Sequence, residues 1–185
     1  MIIGISGKKR SGKDTISNFL IDNYDFIKYG FADPIKDIAK IIFGFTDEQL
    51  YGNLKEKIDD RWGISPRNFF QKFGTEYGRC IFQEHFPEIF DNHNKKTLNK
   101  KTLNKKTLWV LVFKKWYLKK IKENPSIKIV INDVRFIDEY NCIKELGGYI
   151  LKVERNNLIV DQHISENDLD KSFENDKTLE YDTII

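Results

Sequence analysis

Seven residues near the start of the chain, Gly7-Lys8-Lys9-Arg10-Ser11-Gly12-Lys13, have the spacing G-x-x-x-x-G-K. In a loop of this kind, successive backbone N–H groups turn inward around an anion. Glycines are needed where side chains would block its approach. A helix beginning near Gly12 would add its partial positive charge and its unsatisfied N–H groups. Lys13 would then reach the β- and γ-phosphates of a nucleotide and neutralise charge as the γ-group departs. Position 14 departs from the usual pattern. Where Ser or Thr commonly offers a hydroxyl to Mg2+, this chain has Asp14, followed by Thr15. A carboxylate is a competent hard-oxygen ligand, directly or through water, and Arg10 and Lys13 can offset its charge. The sequence leaves open which of Asp14 and Thr15 meets the metal.

Three more clusters carry chemistry that a plain ATPase would not need. Asp33-Pro34-x-Lys36-Asp37 offers charged groups to an acceptor's phosphate or sugar, the alternative being a helix cap with an exposed lysine. Between residues 65 and 79, Ser65-Pro66-Arg67 is followed by Phe70, Gln71, Phe73 and Gly74-Thr75-Glu76-Tyr77-Gly78-Arg79. Guanidinium groups bind phosphate through paired N–H donors, and a glutamine amide can pair with a base edge. Phe70 or Phe73 could stack on that base. A polar surface above a phenylalanine core is the plainer reading. The third cluster, Asn132-Asp133-Val134-Arg135-Phe136, ends an apolar strand. An aspartate there can orient Mg2+ or its water shell, and Arg135 beside it can face a phosphate; a helix N-cap is the alternative. Arg155 ends another strand candidate and precedes Asp161, His163, Ser165 and Glu166, which suits a mobile lid over the transferred group better than a Ser/His nucleophile pair.

The elements that must hold these groups follow from hydrophobic period and breakers. MIIGIS (1–6) and IKIVIN (127–132) are short isoleucine-rich runs, expected as buried strands. Residues 26–32 and 149–155 are further strand candidates, and YDTII is a last short one. Ile16, Phe19 and Leu20 set a helix after Gly12. Pro34 starts a helix that Gly44 stops, and Ser65 with Pro66 starts another. LWVLVFKKWYLKKIKEN and FIDEYNCIKELGG complete the helical set. Strands alternating with helices predict an α/β fold, a mostly parallel sheet covered on both faces. We expect one domain over residues 1–185. Residues 46–125 would be its helical acceptor-binding region, and 155–170 its lid.

Composition bounds the rest. With 185 residues, 40% hydrophobic and 32% charged, the chain can bury a real core. No apolar run approaches a membrane span, and the N-terminal apolar run is too short for a secretory signal. A cytoplasmic enzyme is expected. Cys80 and Cys142 lack metal-ligand spacing and read as free thiols. The net charge of +3 is misleading, because residues 95–108 repeat KKTLN with six lysines; without them Lys+Arg falls from 31 to 25, against 28 Asp+Glu. The excess belongs to a solvated insertion rather than a basic stripe, so neither nucleic acid nor membrane is expected as a partner. Small-molecule substrates remain, and a homodimer is left open.

GISGKKRSGKDT, FADPIKD, SPRNFFQKFGTEYGR, INDVRF and the ERN…DQHISE run resemble, in this order, the deoxynucleoside monophosphate kinases of tailed phages and large DNA viruses. The GKD variant of the loop is similar to theirs. The resemblance implies a P-loop, nucleoside-monophosphate-kinase-like fold and the reaction ATP + dNMP → ADP + dNDP, with Mg2+. It implies phosphate binding by Gly7, Lys8, Arg10, Ser11, Gly12, Lys13, Asp14 and Thr15. It implies acceptor binding by Asp33, Lys36, Arg67, Phe70, Gln71 and Arg79. Catalytic roles would fall to Lys13, Asp133, Arg135 and Arg155, with Asp14, Thr15 or Asp133 toward magnesium. Relatives are expected to continue past the last strand with a turn and helix, and the KKTLN repeat is not a family feature. The alternatives are a P-loop kinase of the phosphomevalonate or dephospho-coenzyme A type, or a nucleotide-binding protein without transferase activity.

Overall fold

The computed structural model describes residues 1–94, 107–155, 168–176 and 178–185. In chain order the elements are β1 (Ile2–Ser6), α1 (Lys13–Tyr24), β2 (Phe26–Tyr29), α2 (Asp33–Phe43) and α3 (Asp47–Tyr51). A 3₁₀ turn (Asn53–Glu56), α4 (Pro66–Gln71), a π-helix (Lys72–Ile81), α5 (Phe82–His85) and α6 (Pro87–Asn94) follow. The chain then forms α7 (Leu108–Glu123), β3 (Lys128–Ile131), α8 (Ile137–Glu145), β4 (Tyr149–Lys152), α9 (Asp168–Asn175) and β5 (Thr183–Ile184). They sort into two compact units, one of Met1–Phe31 with Phe113–Ile185 and one of Ala32–Val112.

The first unit holds the sheet. Its five strands are all parallel in the order β2-β3-β1-β4-β5. The isoleucine-rich β1 therefore lies at the centre, with Ile3 opposite both Val130 and Tyr149. Alternation along β1 sends its residues to opposite faces. Ile3 and Ile5 pack with Phe26, Val130 and Val153 against Ile16, Leu20 and Ile21 of α1. Gly4 faces the other way, where a Cβ would meet Ile143 of α8 and Ile150 of β4 at 2.8 and 2.7 Å. On β2, Tyr29 lies 4.9 Å from Phe113 and 4.5 Å from Trp116 of α7, ring centre to ring centre. Lys114 of α7 donates to Glu145 of α8 at 2.6 Å. The sheet is thus covered by α1 on one face and α8 on the other, the doubly covered parallel α/β fold expected from the sequence.

In the second unit, α2 has Pro34 in its first turn and ends at Gly44, whose φ of 62° suits glycine. Thr46 accepts from the Gln49 N–H, and Gln49 returns an acceptor to the Thr46 N–H, closing the start of α3. Ser65 likewise accepts from the Asn68 N–H at 3.2 Å to start α4. Ala39, Phe45 and Leu50 form the core, with Phe43, Ile64, Phe69 and Phe70 packed against them.

Several elements differ from expectation. β2 stops at Tyr29, three residues short, because Phe31 turns into the core beside Phe113, 5.2 Å away, and Pro34 needs a helical turn. β4 stops at Lys152 rather than 155. The GTEYGR stretch winds as a π-helix, and α6 and α9 had no clear signal in the sequence. Residues 95–106 of the lysine repeat and residues 156–167 of the expected lid lie outside the described residues. Cys142 is buried, which pushes its thiol up to about 12, while Cys80 is exposed; both are free. No described helix is long and apolar enough to cross a membrane.

Candidate active site

β1 delivers the chain to the glycine loop, and α1 takes it away. Gly7 has φ 150° and Gly12 φ 110°, with Arg10 left-handed at φ 67° between them. A Cβ on Gly7 would lie 2.8 Å from the Ser11 hydroxyl and would also strike the Val153 carbonyl oxygen, so only glycine fits. Among the described residues, nothing beyond its own chain neighbours and helix backbone lies within 4 Å of where a Gly12 Cβ would stand, which leaves open space at the start of α1. Ser11 N–H donates to the Lys8 carbonyl at 3.1 Å, tightening the turn.

Lys13 is buried at 8% exposure, and its ammonium donates to the carbonyls of Gly7 at 2.6 Å and Lys8 at 2.8 Å. Burial lowers its pKa below the usual lysine value; Asp133 and Asp14 oppose that shift, and Arg135 adds to it. The loop, Asp14 and the end of β3 therefore share one electrostatic environment. Asp133 accepts from Arg135 Nε at 2.7 Å through Oδ2, while its buried Oδ1 has no hydrogen-bond partner among the described residues. The buried Ser11 hydroxyl is likewise without one. Asp133 is not the cap of α8. That helix begins two residues after Arg135, and Glu139 closes it by accepting from the N–H groups of Arg135 and Phe136 at 2.9 and 3.2 Å. Arg155 stands exposed, three residues beyond β4, and Thr15 is exposed on α1.

The other sequence candidates belong to the second unit. Asp33 opens α2 and accepts from Lys36 at 2.9 Å, while the Lys36 ammonium also stands 4.5 Å over the Tyr51 ring. Arg67 lies half-buried in the first turn of α4, and Gln71 half-buried at its last residue. Phe70 packs against the Ala39–Phe45–Leu50 core. Phe73 stacks between Phe69 and Tyr77 at 5.1 and 6.0 Å. Arg79 Nη1 donates to the Thr107 hydroxyl at 3.4 Å.

Comparison with known proteins decides the family. Residues 1–58 match the family described as deoxynucleotide monophosphate kinase. A protein of Acanthamoeba polyphaga mimivirus, provisionally named deoxynucleotide monophosphate kinase, is 38% identical over 197 residues, spanning all of this chain and 94% of its own length. The chain belongs to the deoxynucleotide monophosphate kinase family.

More distant members agree. The deoxynucleoside-5'-monophosphate kinase of Escherichia phage T5 is 24% identical over 78% of this chain and 72% of its own. The enzyme of Enterobacteria phage T4 is 49% identical over 43 residues, 23% of this chain and 18% of its own. For a kinase of this family, the structure also reveals contacts that the motifs alone did not assign. Asn132 Nδ2 donates to Asp14 Oδ1 at 2.6 Å, and the Lys28 ammonium lies 3.6 Å from the same oxygen. Asp170 of α9 forms an ion pair with Lys8 of the loop. Asn132 was visible as a polar residue at a strand end. Lys28 and Asp170 gave no signal, since their partners are distant in sequence. Among the described residues no group of three or more His, Cys, Asp or Glu side chains could by itself hold a metal.

Proposed function

We propose that the chain transfers the γ-phosphoryl group of ATP to a deoxynucleoside monophosphate, giving ADP and the diphosphate that precedes a DNA precursor. As a member of its family it is a phosphotransferase acting on deoxynucleoside monophosphates. ATP as donor is our inference, supported above all by one observation. The buried Lys13 ammonium is directed onto a loop in which Gly12 faces open space that an anion could fill. Phosphate oxygens are stronger, charge-assisted acceptors than the two carbonyls that now hold the ammonium. Their negative charge would also offset the desolvation that lowers its pKa.

In this reading Gly7, Lys8, Arg10, Ser11 and Gly12 surround the phosphates. The Ser11 hydroxyl, buried and without a hydrogen-bond partner, is suited to accept a role there. Lys13 and Arg135 carry the charge that develops on the transferred group, Asp133 orients Arg135, and Arg155 at the start of the lid segment closes over it. The donor set fits magnesium. Asp133 Oδ1 is a buried carboxylate oxygen with no hydrogen-bond partner, and Asp14 is an exposed carboxylate steadied by Asn132. Such a pair suits a cation that keeps several waters, and Asn132 favours Asp14 over Thr15. Magnesium, when bound, supplies charge neutralisation for the phosphates. Asp33, Lys36, Arg67, Phe70, Gln71 and Arg79 of the second unit bind the acceptor, the arginines on its phosphate and Gln71 on its base. We place the enzyme in the cytoplasm, with its soluble substrates.

A coupled assay of ADP release across the four deoxynucleoside monophosphates tests the proposal. Turnover dependent on both ATP and one or more of them is expected. ATP binding without turnover on any would overturn it.

A further inference from the structure

The stretch Gly74-Thr75-Glu76-Tyr77-Gly78-Arg79 winds as part of a π-helix, in which an N–H reaches the carbonyl five residues back. That winding pairs Arg79 with Gly74 along the helix, where α-helical winding would pair Gly78 with it. π-Helical turns are rare and frequently occur at functional sites. Two side chains at the end of the lysine repeat and just beyond it grip this stretch. Trp109, 2% exposed, donates its indole N–H to the Gly74 carbonyl at 2.7 Å. Its ring lies so close to Gly78 that a Cβ there would stand 2.5 Å from Nε1. Thr107, 7% exposed, accepts from Arg79 Nη1 at 3.4 Å. Gly78 thus makes room for the tryptophan ring, while Gly74 lends it a carbonyl and lies against Ile35, 2.9 Å from where a Cβ would stand; the arginine beside them is held from the same segment.

We infer that Trp109 and Thr107 are positioning residues for Arg79. Trp109 holds the π-helical register by occupying the Gly74 carbonyl and the Gly78 surface, and Thr107 fixes the direction of the guanidinium. Neither touches substrate. Arg79 is presented with Nη1 committed to Thr107, and a guanidinium held in a set direction can bind the acceptor's phosphate through paired bonds. This rests on the reading of Arg79 as an acceptor-binding residue. It explains why a threonine at the end of a low-complexity repeat is buried.

Steady-state kinetics of the full-length enzyme, varying ATP and the best monophosphate separately, test it with Arg79→Ala, Thr107→Val, Thr107→Ser and Trp109→Phe. Thr107→Val and Trp109→Phe are expected to raise KM for the monophosphate by about three- to tenfold, the scale of one lost charge-assisted hydrogen bond. KM for ATP should stay within about twofold, and Thr107→Ser should restore the wild-type value. In the Arg79→Ala background, Thr107→Val should add nothing further, because its effect runs through that arginine. If Arg79→Ala leaves the monophosphate KM unchanged, Arg79 is not an acceptor residue and that reading falls. If Arg79→Ala raises it while Thr107→Val does not, or if the ATP and monophosphate constants rise together, the positioning inference alone is overturned. The threonine variants keep the test decisive should Trp109→Phe fail to fold.

Discussion

The Lys13 ammonium donates to the carbonyl oxygen of Gly7 across 2.6 Å, so the loop is closed by the side chain that it presents. A carbonyl offers only a partial charge, so a phosphate would be the stronger acceptor for this ammonium. Lys13→Ala should lower turnover by about 10³-fold, the scale of losing one preorganised charge at a transferring group. The circular dichroism spectrum should be preserved, since the sheet does not depend on this side chain. Near-normal turnover in a folded variant would remove Lys13 from the mechanism.

Asn132 reaches Asp14 across 118 residues of sequence and holds Oδ1 at 2.6 Å. If Asp14 meets the metal, loosening it weakens metal binding before it affects the acceptor. Asn132→Ala should raise the magnesium concentration giving half-maximal rate several-fold, with the monophosphate KM little changed. Manganese titration followed by electron paramagnetic resonance, with nucleotide present, should show the same weakening. An unchanged metal requirement would separate Asp14 from the cation.

Gln71 ends α4 where the π-helix begins and is half-buried. Its amide offers both a donor and an acceptor, the pairing that distinguishes one base edge from another. Gln71→Ala should shift the relative kcat/KM among the four monophosphates by about tenfold, with ATP KM unaffected. Identical relative rates for dTMP and dGMP before and after substitution would rule out base reading at this position.

Much of this arrangement was legible before the structure. Isoleucine runs identify β1 and β3 because a strand covered on both faces has no polar side. Pro34 with Gly44, and Ser65 with Pro66, delimit helices through local backbone chemistry. The loop was readable from two glycines and a lysine at fixed spacing. What local pattern could not supply was long-range pairing. Asp14 with Asn132, Lys8 with Asp170 and Gly74 with Trp109 each join residues far apart in the chain. The π-helical register was invisible for another reason, since apolar periodicity at 3.6 carries no i→i+5 signal. Asp133, open to reading as a helix cap, is instead paired with Arg135, and Glu139 does the capping.

The edge strand β5 is two residues long and is tied to its neighbours by Asp182. That carboxylate accepts from the Ile150 N–H at 2.6 Å and from Lys144 at 2.8 Å. Burial pushes the Asp182 carboxyl up, but Lys144 and the Ile150 N–H outweigh it and hold the pKa below its ordinary 3.8. A carboxylate with a depressed folded-state pKa contributes stability that is complete above the unfolded value. That contribution fades as pH falls below 3.8 through the folded value. Asp182→Asn should therefore lower stability by about 1–2 kcal/mol at neutral pH, discounted from a buried pair because both groups are partly exposed. For a chain of this size that corresponds to about 2–8 °C in Tm. Thermal unfolding followed from pH 7 downward should show a constant gap between the two proteins to about pH 5, closing below about pH 4. A gap that persists undiminished at about pH 3 would mean that packing, not the charge of Asp182, secures the edge of the sheet.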